Sequence, residues 1–437
     1  MRQIHIVVAL ISTTAFLFSS CKKDEPIQPP ASTIQLSFED ASCTEAWLKV
    51  SLSDADEPRT VAIRQDGQRV LSIRMPGLDS VLIVEGLLPH RQYIFLAERL
   101  SDSTAVDVSP PVQATTMDTT SHSFIWEMDT LGVTASYLND VAIVNDTLGY
   151  AVGEMYVRDS TGQIDPTLFN LARWDGRRWD LQRVTWNGYP APLRFVFLFN
   201  ERDIWFGMGY LIHWDGVAYR QVEVPIFYGT RSNKMWGKLD GQLYAVGNSG
   251  TIAYSPNHEI NWQGVENGTT LDVRDIWGAT DPRSGQTQIL ALASDFTVQT
   301  QESEILQVTG GSTVALNMTG LSPDLSGIWF VPGRRYYAVG AGVHQKRMLT
   351  DSSWQVYPPG VVTRFSSSAV RGQGLNDVFV VGSFGEVVHY NGYSWHRYFA
   401  DVPLPSGAYA SVAVRGNLVM AVGDIGGTRA IVLIGRR

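Results

Sequence analysis

Two cysteines, Cys21 and Cys43, are all that the 437 residues contain. That is too few for a disulfide scaffold or for a structural zinc site built from thiolates. Stability must come from hydrophobic burial, which a chain of this length can supply, and Cys43, if buried, is an ordinary small apolar core residue. Positive charge is short too: 34 Lys and Arg against 43 Asp and Glu leave a net charge of −9. Broad nucleic-acid binding needs a basic footprint, and the arginines here are scattered rather than clustered, so no nucleic-acid partner is inferred. The chain has no heptad run, no Walker-type loop, no His-x-x-x-His pair and no carboxylate-rich loop of EF-hand type, so neither cofactor nor metal is inferred. A Gly-x-Ser-x-Gly elbow is missing as well; "GNSGT" (247–251) and "GSFGE" (382–386) are turns of a repeat. Long apolar runs are confined to one place. "IHIVVALISTTAFLF", behind Arg2, is too short to span a bilayer comfortably, and no later run approaches a membrane helix in length.

What is present begins with an address. The apolar segment ends in "LFSSC", with Ser19 and Ser20 immediately before Cys21. Residues 1–20 therefore read as a secretion signal. The join resembles the lipobox of bacterial lipoproteins, which implies that Cys21 becomes the lipidated first residue of the mature chain. The tether over 21–32, opening "CKKDEP", resembles the charged tether of Bacteroidota lipoproteins. That resemblance implies an outer-membrane protein displayed at the cell surface, held to the membrane by its lipid anchor alone.

From about Thr33 to Met117 the chain alternates like half-buried strands, as in "AWLKVSL" and "YIFLAERL", with turns such as "QDGQ" (65–68) between them. In "LLPHRQY" (87–93) a leucine, a proline two residues on and a tyrosine four further on have the spacing of a pinned sandwich corner. This segment, with Trp47 in "EAWLKV", resembles fibronectin type III domains, and the resemblance covers about 85 residues. It implies a small β-sandwich over 33–117 acting as a spacer. "TTMDTTSHS" (115–123) follows as a polar linker, and Asp118-Thr119-Thr120 within it matches a three-residue pattern associated with O-glycosylation in Bacteroidota.

Beyond the linker one phrase recurs: an apolar strand, a glycine-containing turn, a second strand, an Asp/Asn-Gly turn, then an aromatic residue. The first turn's glycine falls at Gly153, Gly207, Gly247, Gly340, Gly382 and Gly423, with a degenerate copy in "ILALASD" (289–295). Copies recur every roughly 40 to 55 residues, the period of four-stranded propeller blades. The second turn is clearest in "RWDGRRW", "HWDGVAY" and "HYNGYSW", where a type I′ hairpin with positive φ at both central positions is expected. His213 and His389 sit at matching positions of two copies, so they are read as packing residues rather than as a site. The last copy lacks its fourth strand, and "SFIWEMD" (123–129) looks like that strand, with Trp126 in the place of Trp395. The expected architecture is all-β, a fibronectin type III-like sandwich followed by a seven-bladed propeller over 121–437, with 123–129 closing the last blade. The repeats resemble bacterial propeller repeats of the DVWAVG kind.

Chemistry is harder to find. The Asp-box of sialidases needs one residue between Asp and Gly, whereas Asp175-Gly176 and Asp215-Gly216 are adjacent. Glycoside hydrolysis needs two facing carboxylates, and no pair stands out from the repeat. The loops linking blades, and those between second and third strands, carry aromatics suited to stacking on sugar rings or anchoring a protein: Tyr156, Trp186, Tyr189, Phe227, Tyr228 and Tyr409. Trp236 and Trp277 on inner strands align with Arg371 and Arg415 in the two "AVRG" copies. These are read first as stacking partners between blades, with an anion-binding channel around Arg371 and Arg415 as the alternative. The expected function is non-enzymatic binding of a glycan or of a surface or extracellular protein. A glycoside-active propeller enzyme, or a factor that docks on membrane proteins during assembly, are the alternatives. A carboxylate pair about 5–10 Å apart would favour the enzyme, and an aromatic platform without one would favour the glycan.

Overall fold

The computed structural model describes residues 33–437 apart from 55, 57, 240, 259–260, 296–301 and 403–405. The secretion signal, Cys21 and the tether lie outside the described residues. The chain gathers into two compact units: one takes the described residues through Ser37 with Lys49–Leu82 and Ile94–Val112, the other Phe38–Leu48, Ile83–Tyr93 and Gln113–Arg437. Nearly every element is a strand, and no described helix is long and apolar enough to cross a membrane.

Ahead of the linker, Ile34–Ala41, Glu45–Leu52 and Asp79–Glu85 form one sheet, while a second is built on Thr60–Gln65 and Gln92–Ser101. Asp66 and Gly67 both take positive φ, as a two-residue I′ turn requires. Trp47 is fully buried, and Tyr93 Oη accepts the Leu88 backbone N–H at 2.8 Å. Cys43 is buried, and burial pushes its thiol up to about 11.

The propeller has seven four-stranded antiparallel blades in meander order. The inner strands are Tyr137–Asn145, Phe195–Asn200, Ser232–Gly237, Val273–Thr280, Leu325–Val331, Ser367–Gly374 and Gly407–Arg415. Blade 7 takes its fourth strand from Ile125–Leu131, which pairs in register with Arg429–Arg436. Trp126 lies opposite Gly435, where a Cβ would collide with the indole. Buried clusters sit between successive blades; Trp174 with Met420 and Val432 fills the joint between blades 7 and 1.

The repeated glycines have a steric cause. A β-bulge near the start of most inner strands swings a carbonyl against the second strand. A methyl group on Gly153, Gly247, Gly340, Gly382 or Gly423 would land on the carbonyl oxygen of Tyr137, Arg231, Asp324, Ser366 or Ala408 respectively. None of these glycines has positive φ, so close approach alone selects them. Blade 4 holds Ala293 at this register. In blade 2, Gly207 pairs with Phe195 and a methyl there would strike that ring, so it does not share the place of the others.

The Asp/Asn-Gly turns differ from the I′ expectation. Gly176, Gly216 and Gly392 have positive φ, but Asp175, Asp215 and Asn391 do not. Each side-chain oxygen instead accepts two backbone N–H groups, from Arg177 and Arg178, from Val217 and Ala218, and from Tyr393 and Ser394, at 2.8–3.0 Å. The residue is chosen as an acceptor that tightens a longer loop.

Candidate binding cleft and channel

The segment "TWNGYP" forms a small hairpin between blades 1 and 2. Trp186 pairs with Tyr189 across Asn187-Gly188, whose φ values of 49° and 83° make the I′ turn that the Asp/Asn-Gly turns of the blades lack. The indole of Trp186 stacks on Tyr210, from the loop between the second and third strands of blade 2, with centroids 4.0 Å apart and planes 8° from parallel. Past the fourth strand a 3-10 turn, Pro225–Phe227, folds the chain back and directs Phe227 inward. Tyr228 follows, 54 % exposed, and donates its hydroxyl to Glu223 at 3.1 Å. That hydrogen bond raises the phenol above its ordinary range. Trp186, Tyr210, Glu223 and Tyr228 line a cleft of about 520 Å³ with Phe227 below them.

Of the aromatics singled out from sequence, Trp186 and Tyr228 therefore meet in one cleft. Tyr189 lies on the far arm of the hairpin, 78 % exposed. Phe227 is wholly buried in the core between blades 2 and 3, because the 3-10 turn points it there. Tyr409 needs a larger correction. Its strand begins at Gly407, so it is not on a loop; the ring is fully buried with Phe379, Val381 and Tyr398. Tyr156 donates to Glu154 Oε1 at 2.6 Å while Tyr137 donates to Oε2 at 2.8 Å, so both serve blade 1's own carboxylate. Burial, with Glu154 second, pushes Tyr137 up to about 12. Sequence reasoning missed Tyr210 and Glu223, the first hidden in a repeat turn and the second a lone acid.

The channel is braced by two buried acids. Asp140 accepts Lys234 Nζ and Ser411 Oγ, both at 2.6 Å, and the Val196 N–H at 3.0 Å. Asp275 holds Arg371 in a two-pronged pair, 2.9 and 2.7 Å, and accepts the Ile328 N–H at 2.9 Å. Each thus ties its own blade to the next through a backbone N–H and to the one after that through a cation. Burial works against the Arg371 charge, but Asp275 outweighs it and the guanidinium is held more firmly protonated. Arg371 lies 5.2 Å from the Trp277 ring centre. Arg415 does not share the level of Arg371. Ala413, opposite Met420, does so, while Arg415 pairs with Leu418 at the end of its hairpin.

His213 and His389 occupy equivalent places, each hydrogen-bonded to the acid that opens its second strand: Asp203 at 2.8 Å and Asp377 at 2.9 Å. Each also stacks on its neighbour across the ladder, Trp205 or Phe379. Their geometry is that of packing. His389 has a further partner, since its Nδ1 shares a hydrogen bond of 2.9 Å with Nδ1 of His122, just ahead of the closing strand. His396 faces the same imidazole, and Ser394 Oγ lies 3.3 Å from its Nε2. Burial first, then His389 and His396, push His122 down to about 4, while burial lowers His389 against the pull of Asp377. Below an unfolded pKa of about 6.5, the unfolded chain binds protons that the folded one refuses, so stability falls as pH drops from there towards 4. Melting temperatures across that window should decline with acid, and His122→Asn should flatten the decline; an unchanged slope would remove His122 as its source.

No family model matches the chain, and no curated protein does. Solved structures do. "YCF48 bound to D1 peptide" superposes over 71 % of this chain and 95 % of its own, at 16 % identity and a TM-score of 0.54. The likeness is one of fold. "YCF48 from Cyanidioschyzon merolae" covers 71 % of this chain and 98 % of its own at 12 % identity, with a TM-score of 0.49. A structure described as the Dos1 propeller covers 92 % and 94 %, at 11 % identity and 0.45.

Proposed function

We propose that this chain is a non-catalytic binding protein of the cell surface, lipid-anchored at Cys21 and spaced outward by a fibronectin type III-like domain, whose propeller holds a glycan in the Trp186–Tyr210–Tyr228 cleft. The carrying observation is the composition of that cleft. Flat aromatic faces, which match the C–H faces of sugar rings, stand beside Glu223, and among the described residues no second carboxylate lines the cleft. A glycosidase needs two facing carboxyl groups, so the arrangement suits holding a sugar rather than cleaving it. A second reading, docking of a protein segment, draws on the solved structure of YCF48 bound to D1 peptide.

The test is affinity electrophoresis of the mature protein in polysaccharide gels, with product analysis on the same samples. Retardation without released sugar is expected, weakened about 30-fold by Trp186→Ala or Tyr228→Ala, the loss of one anchor residue. Released sugar would sink the non-catalytic reading. Absence of retardation across the panel would move the function to a protein partner. In cells, Cys21→Ser should free the protein from the membrane fraction while leaving retardation intact.

A further inference from the structure

The channel holds a cavity that shares no lining residue with the cleft. Aligned on their ladders, the inner strands of blades 3, 4, 5 and 6 place Trp236, Trp277, Trp329 and Arg371 at one level. Trp236 lies against Gly278 of the next blade, and Trp329 against Gly372, each so closely that a Cβ there would collide with the indole. Both rings are buried as a result. Blade 5 has Phe330 where its neighbours have those glycines, so Trp277 cannot lie down in the same way and stays partly exposed. Blades 1 and 7 contribute only Ala142 and Ala413 at this level. Bulky aromatics on one side and alanines on the other leave a cavity of about 380 Å³, walled by Phe197, Trp236 and Trp277 and by the valines flanking Ala413. Its size falls in the range of small-molecule sites.

The cavity's charges are unequal. Lys234 and Arg371 line it, but Asp140 and Asp275 neutralise them. Arg415 lines it as well and is in no ion pair among the described residues; its guanidinium reaches only the Ile143 carbonyl oxygen, at 3.4 Å. An aromatic wall with one uncompensated guanidinium matches a particular chemistry: a flat apolar body carrying one carboxylate, which the guanidinium can grip with two N–H groups. We infer that the channel binds a small aromatic carboxylate, with the ring against Trp277 and Phe197 and the carboxylate on Arg415. A free aryl acid and the C-terminal residue of a peptide ending in tryptophan share that chemistry.

The experiment is calorimetric titration of the mature protein with 2-naphthoate, with its neutral amide, and with Gly-Gly-Trp. One-to-one binding of an acid is expected, weaker for the amide and about 10- to 100-fold weaker in Arg415→Met, the loss of a charge-assisted hydrogen bond. Ala413→Met, which fills the cavity without touching charge, should abolish binding, while Trp186→Ala and Tyr228→Ala should leave it unchanged. Preference for naphthoate assigns the occupant to free acids, and preference for Gly-Gly-Trp to a chain terminus. No saturable binding of either acid, equal affinity for the amide, or binding that survives Ala413→Met would overturn the inference. None of these outcomes depends on the glycan cleft.

Discussion

Asp275→Ala is expected to cost the propeller about 3–5 kcal/mol, the penalty for breaking a buried ion pair from one side. The carboxylate is almost wholly buried and holds both terminal Arg371 nitrogens and the Ile328 N–H. Its removal strands a buried guanidinium and a backbone donor at once. Replacing both charges, as Asp275→Ala with Arg371→Met, should recover part of the loss, because an apolar pair no longer leaves a charge unmatched. Denaturant unfolding of the two variants against the parent measures this. A loss under about 1 kcal/mol for Asp275→Ala would mean that the pair is solvated and braces nothing.

Gly340→Ala is the second large effect. The methyl would stand on the Asp324 carbonyl and the Leu325 Cα, and both are backbone, so neither can turn aside. Overpacking of this kind costs about 3 kcal/mol, and the expected readout is a melting temperature several degrees lower. Ala293→Gly supplies the contrast, since blade 4 already accepts a Cβ at this register. It should cost about 1 kcal/mol or less, the backbone entropy of a strand glycine. Equal effects from the two would show that the carbonyl approach is not what selects glycine.

The propeller was legible because its rules are local and repeated. Glycine at the bulge marks five of the blades, and Asp or Asn at the outer turn with an aromatic after it marks three, each without reference to the rest of the chain. What failed to read was whatever depends on geometry across strands. "AVRG" occurs twice in identical letters, yet blade 7 turns back directly after Arg415 while blade 6 continues to Gly374, so the two arginines stand at different levels. Tyr409 reads as a loop residue because a proline and a glycine precede it, but its strand starts earlier than the apolar pattern suggests. The cleft was half legible. Trp186 and Tyr228 stand out as aromatics in blade-linking loops, whereas Tyr210 gains meaning only once the Asn187-Gly188 hairpin lays an indole on it.

The strand that completes blade 7 precedes every other propeller strand in the sequence, and its partner, Arg429–Arg436, is the last. During synthesis Ile125–Leu131 therefore waits, with an open ladder edge, until the whole ring has been made. Six blades can form from neighbouring segments as they emerge, but the seventh joins opposite ends of the propeller, the slowest kind of contact to find. For that interval the unfinished chain carries exposed strand edges of the sort that pair with strangers. Closure is then a timing device as much as a bond, and protection of Trp126 should be the last event in folding.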